Sequence, residues 1–77
     1  MLTEGDLVRI KQDSFLYPES TEPWSVRRLK TPTYGIVIKK RNHIETEVFV
    51  ENQVWIVGDK CLQLIIGDQD VYKTKQN

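Results

Sequence analysis

His43, Glu45 and Glu47 come nearest, by type and spacing, to a metal-binding set in this chain. One imidazole and two carboxylates at a period of two share a strand face, and that donor set suits zinc or a non-haem metal. Strand residues two apart stand about 6.5–7 Å from one another, so the three do not converge on one ion without a bend. The plainer reading is the wet side of a hairpin, where the glutamates meet basic neighbours. Cys61 is the sole cysteine and His43 the sole histidine, and the pattern places them on different elements. A nucleophilic pair would need both within hydrogen-bond reach, with a third group to orient them. Cys61 is expected instead to plug the core near the last turn. The chain has neither a glycine-rich phosphate loop nor a glycine-flanked serine. The expectation is a protein that is not an enzyme, with no catalytic residue, no metal and no cofactor.

The charges carry a stronger pattern. Eleven basic and eleven acidic residues balance to a net charge of zero, so bulk electrostatics recruits no partner. Residues 26–43, however, hold Arg27, Arg28, Lys30, Lys39, Lys40 and Arg41 and no acid, while the segments on either side each sum to −3. If these cations lie together beside Trp24, Tyr34 or Trp55, they suit a nucleic-acid backbone with stacked bases. Against that, Glu45, Glu47 and Glu51 fall on the strand expected to pair with Lys39 and Lys40, where cross-strand pairing would neutralise much of the patch. The aromatics offer a second surface. Tyr17, Trp24, Tyr34 and Trp55 would line a groove for a peptide, with Pro18 and Pro23 in the adjoining loop.

The elements that must position these residues are short strands. Leu7 to Lys11 alternates with Val8 and Ile10 on one side, directly after a Gly5-Asp6 turn. Residues 12–33 contain all three prolines and no sustained period, and a loop of that length needs a reason. Phe15, Tyr17 and Trp24 within it suggest that it folds back on the domain. Residues 34–40 read as a central, bent strand, in which Gly35 allows close approach of a neighbouring backbone. Arg41-Asn42-His43 forms a hairpin connection, with Asn42 suited to a left-handed conformation. Residues 44–51 place Ile44, Thr46, Val48 and Val50 on one side and Glu45, Glu47, Phe49 and Glu51 on the other. Asn52-Gln53 then supplies a tight turn, 54–57 a fourth strand and 62–66 a fifth. The core is expected at Val8, Ile10, Val37, Val48, Val50, Ile56, Leu62 and Leu64.

Seventy-seven residues make one domain, divided here into a body at 1–66 and a tail at 67–77, either frayed or adding a short edge strand. A chain this short buries only about 60% of the surface that its unfolded form exposes, which favours presenting a surface over enclosing a reaction chamber. One cysteine excludes an internal disulfide and points to a reducing, cytoplasmic setting. The N-terminal stretch lacks the layout of a signal peptide, and the apolar runs are too short to enter a membrane.

The run Gly5-Asp6-Leu7-Val8-Arg9-Ile10, a long loop, Tyr34-Gly35-Ile36-Val37-Ile38, a hairpin, Val54-Trp55-Ile56-Val57 and Leu62-Gln63-Leu64-Ile65 resembles the order seen in SH3-like barrels. In the KOW and related families, a Gly-Asp-x-Val-x-Ile entry strand likewise precedes a Gly-x-Val strand. Small uncharacterised proteins of tailed phages and bacteria show a similar layout. The resemblance covers residues 4–66 and implies an all-β, five-stranded barrel with a long loop after the first strand. Closure would remove exposed sheet edges. The expectation is a non-catalytic interaction module or accessory subunit that binds a protein partner through the long-loop side. Tyr17, Trp24, Arg27, Arg28, Tyr34, Lys39, Lys40 and Arg41 would carry the binding. Nucleic-acid binding through residues 27–41 is the alternative, and self-association through an edge strand is one form the protein contact takes.

Overall fold

The computed structural model describes residues 2–19 and 26–66, and every strand pairing in it is antiparallel. The chain enters through a turn in which Gly5 has a φ of 90°. The Asp6 carboxylate accepts from the Thr3 amide at 2.9 Å, while the Gly5 amide donates to the Val37 carbonyl at 2.8 Å. Strand β1, Leu7–Ile10, is therefore held against the centre of the sheet from its first residue.

Residues 12–33 are where the structure departs most from expectation. They are not one loop but contain two strands, β2 at Phe15–Pro18 and β3 at Arg27–Arg28. Asp13 takes a left-handed φ of 69°, and its amide donates to the Leu29 carbonyl as the Leu29 amide donates to Ser14, both at 2.9 Å. Those bonds tie the two arms together. Two buried leucines explain why the arms stay down: Leu16 and Leu29 are 0% and 2% exposed and belong to the core. Trp24 and Pro23 lie outside the described residues, as does the tail from 67 onward.

The remaining strands are β4 at Thr33–Lys40, β5 at Glu45–Val50, β6 at Gln53–Gly58 and β7 at Leu62–Leu64, with a 3-10 turn at Asp59–Cys61 before the last. Between β4 and β5, Asn42, although suited to a left-handed backbone, does not take one; among the described residues positive φ at non-glycine positions is confined to Asp13, Glu51 and Asn52. Its side-chain oxygen accepts from the amides of Ile44 and Glu45 instead, each at 2.9 Å, turning the chain without strain. The next turn falls one residue earlier than expected. Glu51 and Asn52 both have positive φ, and Val50 faces Gln53, which describes a two-residue turn of the kind that matches strand twist.

Among the described residues the sheet runs β3-β2-β6-β5-β4-β1-β7. It has seven strands where five were expected, and it is open, with β3 and β7 at its edges. Among the described residues β7 pairs only with β1 and β3 only with β2, so the two edges do not meet. The sheet nevertheless curls around its inner side. Val8 and Ile10 of β1, Leu16 of β2, Val37, Val48, Val50, Trp55 and Val57 form one buried cluster with Leu29, although β1 and β2 are not neighbours in the sheet. No α-helix is described that could cover them, so the sheet covers itself. A register shift between Val37 and Lys39 supplies part of the bend. Of the expected core, Ile56 is half-buried and registered with Glu47 on the outer side. Leu62 and Leu64 stand on the core side opposite Ile10 and Val8 but are only half-buried at the sheet edge; Leu16, Leu29, Trp55 and Val57 complete the interior. Among the described residues no helix is long and apolar enough to cross a membrane.

Candidate functional site

Partners across an antiparallel pair point to the same side of the sheet, so the register assigns each side chain a face. Leu7 faces Ile36, Ile36 faces Phe49, and Phe49 faces Val54. These four make an apolar row across β1, β4, β5 and β6 on the side away from the core. Leu7, Ile36 and Phe49 are each about two-fifths exposed, at 41%, 38% and 39%. A second row on that face runs Lys39, Glu47, Ile56 and Tyr17. Tyr34, opposite Arg9, adds an exposed tyrosine, at 58%. Alternation alone would make this side polar; instead, apolar and aromatic side chains form one continuous band.

The basic segment is organised differently. Arg27 is paired with Glu51, Arg28 with Asp13 at 2.8 Å, Lys40 with Asp59 and Arg41 with Glu47 at 3.2 Å. Lys39 lies 4.0 Å from Glu47. Five of the six cations of 26–43 thus face a carboxylate. Glu47 stands on the outer face yet is buried, 4% exposed, beneath these two cations. Burial of a carboxylate is tolerated only with such partners.

Asp59 is the other polar centre. Its carboxylate accepts from the Thr46 hydroxyl at 2.6 Å and from the Lys40 ammonium, and its amide donates to the Ile44 carbonyl at 2.9 Å. Burial pushes the Asp59 carboxyl up, but these two hydrogen bonds and the lysine charge outweigh it and hold the group below its ordinary value. Two clefts meet here, sharing His43 and Asp59. One, of about 520 Å³, lies between β7 and the β4–β5 hairpin and is lined by Leu2, Lys40, His43, Asp59, Leu62 and Leu64. The other, of about 440 Å³, lies beside Ile44, Glu45 and Gly58.

Of the eight residues singled out in the sequence, the seven that are described are distributed over both sides of the sheet and the hairpin. Tyr17, Arg28, Tyr34 and Lys39 fall on the outer face by register. Arg27 is registered with Leu16, and Lys40 with Thr46, on the opposite side. Arg41 sits in the hairpin and reaches Glu47, and Trp24 lies outside the described residues. His43, Glu45 and Glu47 do not converge: Glu47 is engaged by Arg41, and Glu45 accepts from the Asn42 side chain at 3.0 Å. Among the described residues no three His, Cys, Asp or Glu side chains gather as a metal site. Cys61 is half-buried and packs on the core beside Leu2 and Leu62. Trp55 is interior rather than part of a groove, and its indole Nε1 has no acceptor among the described residues.

Leu7, Ile36, Phe49 and Val54 were missed as surface residues. The signal was present, because Phe49 interrupts an otherwise acidic side of its strand and Ile36 alternates with the buried Val37. Comparison with family models, with curated proteins and with solved structures finds no match to this chain.

Proposed function

We propose that this chain is an SH3-like, non-catalytic interaction module whose outer sheet face binds a protein partner. The observation that carries the reading is the outward-facing row Leu7–Ile36–Phe49–Val54, its first three members exposed and Val54 half-buried, which crosses four strands with Tyr17 and Tyr34 on the same face. A continuous apolar and aromatic band of this kind marks protein contact sites, where aromatic side chains supply most of the binding energy. A protein suits the surface better than a nucleic acid does, because a phosphate backbone would have to compete with Glu47, Glu51, Asp13 and Asp59 for the cations that face them.

The SH3-like assignment is supported by the order of the elements: an entry strand, a long excursion with paired arms, a bent central strand, two hairpin-linked strands and a short last strand. Partner binding followed by amide chemical shifts tests the proposal. Perturbations should centre on Leu7, Tyr34, Ile36 and Phe49. A partner that instead perturbs only the 41–44 hairpin or the Arg27–Arg28 strand contradicts it.

A further inference from the structure

Lys11 donates its amide to the Cys61 carbonyl and Ile65 donates to Leu7, each at 2.9 Å, with Arg9 opposite Gln63 between them. In an antiparallel pair the bonded positions alternate, so residues 61, 63 and 65 address β1. The amide and carbonyl of Leu64 therefore point away from β1, toward the open edge of the sheet. No described strand pairs with that edge. The other edge differs, since β3 is only two residues long and offers little to pair with.

Beside the β7 edge lies the cleft of about 520 Å³, whose floor is Leu2, Leu62 and Leu64 and whose far wall is Lys40, His43 and Asp59. It is the seam the sheet leaves open between its last strand and the β4–β5 hairpin. The local charge is also distinctive. Arg9, Lys11 and Lys60 belong to β1, its exit and the 3-10 turn. None of them faces a carboxylate among the described residues, unlike five cations of the 26–43 segment. Arg9 reaches only the Gln63 amide oxygen, at 3.5 Å.

We propose that the β7 edge is a second binding site, which accepts an extended acidic segment of a partner protein by strand addition. The segment pairs with Leu64 through its backbone, drops an apolar side chain onto Leu2, Leu62 and Leu64, and sets its carboxylates against Arg9, Lys11 and Lys60. In strand addition the backbone bonds give affinity, and pockets for alternate side chains give selectivity. The site shares no residue with the outer apolar row, so it stands or falls separately from that face.

The test is titration of the intact protein with a short dye-labelled peptide alternating valine with aspartate, read by anisotropy and by amide shifts. Binding should saturate, weaken with added salt, and perturb Leu64 and Gln63 while leaving Phe49 unmoved. A peptide alternating valine with lysine should not bind. Leu64→Pro removes the outward amide and keeps the bonds to β1, and it should weaken binding about tenfold. If that variant does not fold, the double change Arg9→Glu and Lys60→Glu, on exposed or half-exposed positions, should abolish binding instead. The proposal is overturned by no saturable binding to the wild type, by equal affinity for the lysine peptide, or by shifts confined to Leu7, Ile36, Phe49 and Val54 with Gln63 and Leu64 unmoved. Concentration-dependent dimerisation that perturbs Leu64 would also overturn it, by making a second copy the occupant.

Discussion

The Thr46 hydroxyl, on a residue with no exposed surface, donates to the Asp59 carboxylate at 2.6 Å and links the middle sheet to the turn before the last strand. Because the folded Asp59 group lies below its ordinary value of 3.8, its contribution is fully present above that value. It is lost as pH falls through the lower, folded value. Stability should therefore decline on acidification below about pH 4, and Asp59→Asn should flatten that acid limb in denaturant melts taken across pH. Thr46→Val should cost about 1–2 kcal/mol at neutral pH, the net worth of a hydrogen bond to a charged acceptor less the gain from a buried methyl.

The ion pairs of the basic segment should differ sharply in worth. Glu47 is buried, accepts from Arg41 and lies 4.0 Å from Lys39, so Glu47→Ala should destabilise by about 2–3 kcal/mol, through the lost charge-assisted hydrogen bond and the gap left behind. Asp13 and Arg28 are both more than half exposed, and Asp13→Asn should change stability by no more than about 0.5 kcal/mol through that pair. Urea denaturation of the two variants side by side measures the contrast.

Gly35 has no room for a side chain. A Cβ there would lie 2.5 Å from Val48 Cγ1, 2.8 Å from Val50 Cγ2 and 2.9 Å from the Phe49 carbonyl oxygen. Two of those neighbours are buried valines and the third is backbone, so none can retreat freely. Gly35→Ala should cost about 2–3 kcal/mol by overpacking, seen as a lower denaturation midpoint with an unchanged slope.

The paired arms of the 12–33 segment should behave as core. Leu16→Ala and Leu29→Ala should each cost about 2–5 kcal/mol, as large as truncation at Ile10. A cost under about 0.5 kcal/mol, typical of surface positions, would mean that the arms are not docked as described.

In the sequence, β1 and β5 were legible from alternation, Val8 with Ile10 and Val48 with Val50. β4 was legible as an apolar run and β6 as a short run between turns, but the inward side of β6 was misread, since Ile56 was expected inside where Trp55 and Val57 lie. β2 and β3 were not legible, because runs of four and two residues ending at Pro18 or made of two arginines carry no period. Their place is fixed by single leucines at 16 and 29 reaching the interior, which is a long-range event. Neutralisation of the basic segment was half legible. Lys39 opposite Glu47 follows from the hairpin, whereas Arg27 with Glu51 and Lys40 with Asp59 join residues that only the folded sheet brings together. The outer apolar row was hidden for a related reason, since Leu7, Ile36, Phe49 and Val54 align only once the register is known.

On the proposed reading the outer face, and not the cations, holds a protein partner. The direct measurement is the dissociation constant of a partner for wild type and for the double variant Ile36→Asp, Phe49→Asp, compared with Arg27→Ala, Arg28→Ala. The two positions of the first variant are only 38% and 39% exposed and face each other across β4 and β5, so the opposed aspartates should lower the melting temperature. With binding read where the variant is still folded, affinity should weaken by about 2 kcal/mol or more. The arginine variant should bind within about threefold of wild type. A face variant that binds like wild type, with affinity lost in the arginine variant, would contradict the account.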